Sequence, residues 1–233
     1  MSIPERLDRV ENIHPGALRN PPVKPRDAAT LILLDRSAGR PRVLLGKRSS
    51  KHVFMPDAYV FPGGRRDRLD HVLPFASDLH PDVLSRLMAE KSRSASQRDA
   101  RALALAAVRE LEEETGLVLG ERIAGRLHAQ LGTLRYVARA ITPPGSVRRF
   151  DTRFFSTFAD EAGMTLEGIA DTHELHDLGW HDLQELDGLN VPWITRSVLC
   201  DLAKLLSDDP ALPFGSTVPF YYSRRGQFFR SRL

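Results

Sequence analysis

The sequence predicts a mixed α/β (α+β) fold, a β-sheet sandwiched between helices, and three observations carry that expectation. Short Leu-, Ile- and Phe-rich runs bounded by Gly, Pro, Asp and Ser read as strands. Residues 97–115, rich in Ala, Leu, Arg and Glu, read as a helix that Gly116 is placed to end. Strands and helices mix without regular βαβ alternation, which favours a mixed sheet. The chain has 233 residues, 42% hydrophobic and 27% charged, an ordinary globular composition that can bury a sizeable core.

Residues 1–27 hold five prolines and few large apolar side chains, and read as an extended N-terminal arm ahead of one domain, 28–233. Asp27–Asp35 and Pro41–Arg48, joined through Ser37, Ala38, Gly39 and Arg40, predict a β-hairpin. Ala58–Phe61 is a short third strand cut off by Pro62, Gly63 and Gly64, where paired glycines let the backbone turn sharply and approach a ligand closely. Composition then shifts to Asp, Arg, Ser and His over 65–96, which looks inserted and contains one helix from Pro81 to about Lys91. After the 97–115 helix come strands at Arg126–Ile141, Phe150–Phe158 and Leu175–Trp180, and a C-terminal helix at Thr195–Leu206. A tail, 207–233, carries Pro210 and Pro213 and closes on the aromatic, basic segment Phe220–Leu233.

Composition also excludes some classes of function. Cys200 is the single cysteine, so no intramolecular disulfide forms, which suits a reducing compartment. The longest apolar runs, Ala28–Leu34 and Ala102–Val108, fall far short of the roughly 18 residues of a membrane span, and MSIPERLDRV does not read as a signal peptide. The expectation is a cytoplasmic protein with no membrane partner. A net charge of +3 is too small to argue for nucleic acid. The basic residues are 28 Arg and five Lys; Arg suits phosphate and carboxylate, although a GC-rich genome gives the same bias.

Arg109-Glu110-Leu111-Glu112-Glu113-Glu114-Thr115-Gly116 carries the chemistry. It puts four carboxylates at the negative end of a helix dipole, where like charges three or four apart cost about 0.2–0.5 kcal/mol per pair. At about 100° per residue with Glu110 at zero, Glu113 falls near −60°, Glu114 near +40° and Glu112 near 200°. Three acids therefore share one arc while Glu112 points away. Ala104, Ala107, Val108 and Leu111 occupy the neighbouring arc and would anchor the helix on the core. A solvated acidic face would look the same, but such a set also suits a hard divalent cation, Mg²⁺ or Mn²⁺, which would remove the repulsion.

With Phe61-Pro62-Gly63-Gly64 upstream, this segment resembles the Nudix box, G-x5-E-x7-R-E-U-x-E-E-x-G-U with U a bulky aliphatic. Gly64 matches the leading glycine, Arg109-Glu110 the R-E pair, Leu111 the aliphatic, Glu113-Glu114 the E-E pair and Gly116-Leu117 the close. Two departures stand out. Arg109 lies 45 positions after Gly64, about thirty more than the box allows, an insertion that loop-closure entropy tolerates. The box's first glutamate falls on Arg101 counting back from Arg109 and on Asp70 counting forward from Gly64; neither is Glu, and Asp99 is a candidate substitute. Leu44-Leu45-Gly46-Lys47-Arg48-Ser49 ahead of the glycines is similar to the signature of coenzyme A diphosphatases, although Val53 and Asp57 depart from it. The interrupted box and Arg149–Phe155 likewise resemble the coenzyme A diphosphatase-like branch.

The resemblance implies a Nudix fold and metal-dependent hydrolysis of a diphosphate bond in a nucleoside diphosphate linked to another moiety, such as coenzyme A, acyl-coenzyme A or ADP-ribose, by water attack at phosphorus. It implies Mg²⁺ or Mn²⁺ held by Glu110, Glu113, Glu114 and the carbonyl of Gly63, with Arg109 orienting the carboxylates. Glu114 thus belongs to the catalytic set. Glu174, in the segment His173–Trp180, is the first choice for the general base, with His173 and His176 as alternatives. Lys47, Arg48 and Gly64 are the candidate diphosphate contacts. Phe54, Tyr59, Phe154 and Phe155 are candidates to stack a base, and the pairs Arg148-Arg149 and Arg224-Arg225 to attract an anionic tail. The alternative is a non-catalytic Nudix-fold module that binds nucleotide or RNA, which the intact acidic trio disfavours. The expected partner is a small nucleotide conjugate, with no nucleic acid, and the family resemblance implies a homodimer. Ser231-Arg232-Leu233 resembles the peroxisomal S-K-L address, against which the Arg-rich, Lys-poor composition weighs.

Overall fold

The computed structural model describes residues 4–7, 23–50, 55–89, 96–183 and 185–233. Strand β1 (Glu5–Leu7) is followed by β2 (Arg26–Asp35), β3 (Arg42–Arg48), β4 (Tyr59–Val60), β5 (Gly63–Arg65) and β6 (Phe75–Ser77). Helix α1 (Pro81–Ala89) and the longer α2 (Gln97–Thr115) lead to β7 (Gly120–Ile123), β8 (Arg126–Gln130), β9 (Arg135–Ile141), β10 (Phe150–Phe158) and β11 (Leu175–Asp182). Helix α3 (Trp193–Asp208) precedes β12 (Pro219–Arg224) and β13 (Gln227–Arg232).

The main sheet runs β1-β13-β12-β9-β10-β2-β3-β11, with β4 on β3 and β5 on β2, and β6-β8-β7 form a smaller sheet. The apolar run of β2 is buried on both faces: Ala29, Leu31 and Leu33 meet one core, which includes α2, while Ile32 and Leu34 meet a second core, which includes α3. A strand covered on both sides reads as a continuous hydrophobic stretch, as this one does. β10 lies parallel along its whole length, from Phe150 opposite Arg26 to Phe158 opposite Leu34.

Helix α2 begins in a capping box in which Ser96 and Asp99 satisfy each other's backbone amides, and it ends at Gly116 in the left-handed conformation, φ 76°. Ala104, Ala107, Val108 and Leu111 are buried, as the helical wheel requires. Burying Val108 and Leu111 contributes about 1.5–3 kcal/mol each, well above the few tenths lost per acidic pair at the helix end.

The predicted hairpin splays. β2 and β3 pair only at Leu34–Val43 and Asp35–Arg42, and β5 enters the gap to pair with Ala28, Ala29 and Thr30. That wedge brings the diglycine to the end of α2. Segment Arg126–Ile141 is two strands, because the backbone turns at Leu131–Leu134 and β8 joins the smaller sheet. β7 adds a strand that the sequence reading lacks. The last residues, Phe220–Leu233, are a hairpin of the main sheet, with β12 parallel to β9. The arm contributes an edge strand, β1, on β13. In the inserted segment, β6 pairs with β8 and α1 packs beside α2. Phe54 and Val53, and the predicted helical residues Glu90 and Lys91, lie outside the described residues.

Candidate active site

Glu110, Glu113 and Glu114 project from the last turns of α2 toward β5, where they line one end of a cavity of about 380 Å³ with Gly63, Gly64, Arg48 and Glu174. The glycines are needed for close approach. Neither has a positive φ, so the left-handed freedom of glycine is not what this bend at Pro62 uses. A Cβ on Gly64 would lie 2.7 Å from Glu110 Oε2, and one on Gly63 would lie 2.7 Å from the Ala29 carbonyl, both inside contact distance. Leu31 N–H donates to the Pro62 carbonyl. The alternation of an antiparallel ladder then turns the backbone groups of Gly63 away from β2, and its N–H donates to Glu114 Oε2 at 2.8 Å. This contact, 51 residues apart in sequence, closes the loop to the helix.

Charge and burial are in tension here. Burial pushes the Glu114 carboxyl up to about 8, the charges of Glu110 and Glu174 push the same way, and Gly63 N–H and Arg48 oppose them. Burial likewise raises Glu110, against the pull of Arg109. Arg48 is lowered by burial among Glu114, Glu174 and Glu110, and its Nε is buried without a hydrogen-bond partner. Glu113 is the most open of the trio, its side chain 56% exposed.

Arg109 stands behind the carboxylates. Its Nη1 donates to Glu110 Oε1 at 2.9 Å and to Glu113 Oε2 at 2.8 Å, while Nε donates to Asp70 Oδ1 at 2.8 Å. Its Nη2 reaches the carbonyl of Arg65. One guanidinium thus ties two acids, the β5 loop and the fully buried Asp70 together, and these pairs outweigh burial to hold its proton more tightly than usual. Asp70 also accepts from Asp67 N–H. Of the three positions weighed for the first acid of the box, Asp70 is the one that contacts Arg109. Asp99 is engaged in the α2 cap, and Arg101 pairs with Asp78.

Glu174 is fixed beside Arg48 because Ser49 N–H donates to its carbonyl and Leu175 lies opposite Arg48. Its side chain is 43% exposed. His173 is 89% exposed, and neither it nor His176 lines the cavity. Lys47 does not line it either. Strand alternation sends it to the other side from Arg48, toward Asp57 at 3.7 Å, which corrects its assignment as a diphosphate contact. Glu112 also points away and pairs with Arg122.

From the acids the cavity runs across the sheet. Ala28, Thr152 and Ala140 lie in register on β2, β10 and β9, and Tyr221 of β12 continues the row. The small side chains leave a trough about 14 Å long, from three interstrand spacings. Its far end is walled by Trp193, Tyr221, Tyr222 and Phe228. Trp193 meets Phe228 edge-on at 5.4 Å and Tyr221 at 6.2 Å. Tyr221 donates to Asp201, which also accepts two bonds from Arg230. No local signal marks these aromatics as site residues, because the hairpin that carries them docks through nonlocal pairing. Of the aromatics singled out in the sequence, Phe154 lines the trough, Phe155 is buried in the α2-side core and Tyr59 donates to Asp177. Arg148 lines the trough, and the Arg149 guanidinium is held by the Thr142 and Val23 carbonyls.

Among the described residues, no three His, Cys, Asp or Glu side chains converge tightly enough to form a closed metal shell. Arg109 draws Glu110 and Glu113 one way while Gly63 holds Glu114 another. The donor set still fits a hard dication: all of it is oxygen, and two carboxylates are buried at a cost that positive charge would offset.

Residues 97–202 match the family model of the NUDIX domain, a little under half of the chain. No curated protein matches the chain. Among solved structures, the chain is similar to a NUDIX hydrolase from Alicyclobacillus acidocaldarius at 25% identity and TM-score 0.59, covering 80% of this chain and 96% of that one. It also shares its fold with a MutT/nudix family protein from Enterococcus faecalis, at 15% identity and TM-score 0.50, covering 82% of this chain and 66% of that one. The acid-bearing end of α2 facing a diglycine strand, the domain match and the shared fold agree: residues 97–202 form a NUDIX domain, in a chain with the fold of a Nudix hydrolase.

Proposed function

We propose that the protein hydrolyses the diphosphate bond of a nucleoside diphosphate joined to a second moiety, with coenzyme A, acyl-coenzyme A and ADP-ribose as the leading substrates. One observation carries this reading: the acids and Arg48 gather at one end of a trough whose other end is aromatic, so a charged diphosphate and an organic substituent each have a matching surface. The similarity of Leu44–Ser49 and Phe61–Gly64 to coenzyme A diphosphatases favours that substrate class.

Nudix hydrolases generally use divalent metal ions. Here Glu110, Glu113 and Glu114, with the carbonyl of Gly63, would hold Mg²⁺ or Mn²⁺, which supplies charge neutralisation at the diphosphate and a more acidic water. The chain's own groups do the rest. Arg48 binds a diphosphate oxygen through its unpartnered Nε and the rest of its guanidinium. Arg109, a positioning residue, keeps Glu110 and Glu113 aligned, and the small trough floor admits the substituent. Glu174 accepts the proton of the attacking water. Its position on the cavity wall beside Arg48 and the acids, outside the Arg109 network, supports that role.

The test is a panel of diphosphate compounds incubated with Mg²⁺ or Mn²⁺ in ¹⁸O-water, with both products identified by mass. The label shows which phosphorus is attacked. Glu114→Gln should lower kcat by about 10²-fold or more, and Glu174→Gln should lower kcat with little change in KM. Equal turnover by Glu114→Gln would reject the assignment.

A further inference from the structure

A second concavity, of about 360 Å³, opens beside the acids, between the start of β2 and the segment that follows β5. Arg26, Arg65, Arg66 and Arg68 line it with Asp27 and Asp67, so positive groups outnumber negative ones two to one. Arg65 lines both this concavity and the trough, so the two are neighbours across that side chain. Asp27 is already shared between Arg66 and the buried Arg153, and Asp67 lies 3.6 Å from Arg65. Among the described residues, no carboxylate stands within ion-pair distance of Arg26 or Arg68. The positive charge of this concavity is therefore not neutralised from within.

Its frame is also fixed relative to the chemistry. Arg66 N–H donates to the Asp27 carbonyl, and the Arg65 carbonyl accepts from Arg109, the guanidinium that aligns the acids. Arg65 follows Gly64 directly, and Arg26 precedes Ala28 by two positions on β2. At about 3.3 Å per residue, Arg26 stands some 7 Å along β2 from Ala28 on the trough floor, which is the reach of one ribose beyond a diphosphate. It lies on the side away from the aromatic wall.

We propose that this groove is a subsite for a phosphomonoester on the ribose of the nucleoside half, with Arg26 and Arg68 as its principal contacts and Arg65 bridging it to the diphosphate. The inference rests on the diphosphatase reading above and deepens it: the nucleoside points toward Arg26, the other moiety lies in the trough, and the substrate class is a ribose-phosphorylated conjugate. Guanidinium groups recognise such a dianion by paired, charge-assisted hydrogen bonds.

The test uses substrate pairs that differ only in that phosphate: coenzyme A against dephospho-coenzyme A for the 3′ position, and NADPH against NADH for the 2′ position. The wild-type enzyme should prefer the phosphorylated member of at least one pair by about tenfold in kcat/KM, the scale of one or two charged hydrogen bonds at a partly solvated site. The preference should appear in KM. In Arg68→Ser, and more fully in Arg26→Ser/Arg68→Ser, the ratio within that pair should fall to near one, with the circular dichroism spectrum and Tm confirming that each variant is folded. Equal wild-type kcat/KM within both pairs, or a preference that survives in the folded double variant, would overturn the proposal. Failure to hydrolyse either pair would count against the diphosphatase reading instead. The groove is then judged by calorimetric titration of adenosine 3′,5′-bisphosphate and adenosine 2′,5′-bisphosphate against AMP. Tighter binding of a bisphosphate that is lost in the double variant supports the subsite, and equal binding rejects it.

Discussion

Replacing Asp70 with Ala tests whether the inserted segment completes the acidic site. Asp70 is fully buried and holds Arg109 through contacts of 2.8 and 3.3 Å, while also accepting from Asp67 N–H at 2.6 Å. Removing one partner of a buried ion pair costs about 3–5 kcal/mol, because the survivor stays desolvated. Arg109 would keep Glu110, Glu113 and the Arg65 carbonyl, so the lower end, about 3 kcal/mol, applies. For a chain of this size that is roughly 6–12 °C in Tm. The freed guanidinium should no longer align Glu110 and Glu113, so kcat should fall by about tenfold or more while KM changes less. Asp70→Asn keeps an acceptor and should fall between wild type and Ala on both measures. Differential scanning fluorimetry and steady-state kinetics with the best substrate of the panel read the two effects. An Asp70→Ala protein within about 0.5 kcal/mol of wild type, with unchanged kcat, would refute the argument that Asp70 supports the site.

Gly64→Ala places a Cβ within 2.7 Å of Glu110 Oε2, so it should displace that carboxylate and cut kcat/KM by about 10²-fold with little loss of Tm; wild-type activity would rule out the close approach. Glu114 is raised to about 8 by burial, so the metal-free fold binds its proton more tightly than the unfolded chain and should lose stability as pH rises from about 4.5 to about 8. Denaturation in chelator across that range should show the decline in wild type and a weaker one in Glu114→Gln, and titration with Mg²⁺ at pH 7 should release protons. Asp201→Ala leaves the buried Tyr221 hydroxyl and Arg230 without their shared acceptor, and should cost about 2–3 kcal/mol and weaken substrate binding at the aromatic end. A Tm and KM equal to wild type would show that the hairpin does not depend on it.

Sequence alone determined the features that one element encodes within itself. Helix α2 was legible from Gln97 to Thr115 because its apolar stripe and terminal glycine are local signals. Strand β10 was legible from Phe150 to Phe158 for the same kind of reason, and helical geometry alone puts Glu110, Glu113 and Glu114 on the one face of α2 that borders the cavity. Tertiary structure decided what depends on which strand pairs with which. It split Arg126–Ile141 between two sheets, brought the closing residues into the main sheet as the aromatic wall, sent Arg48 inward and Lys47 out, and delivered Asp70 to Arg109, 39 positions away in the chain. Those outcomes rest on long-range hydrogen-bond ladders and buried ion pairs, whose energies depend on partners distant in the chain, so no local window of residues contains them.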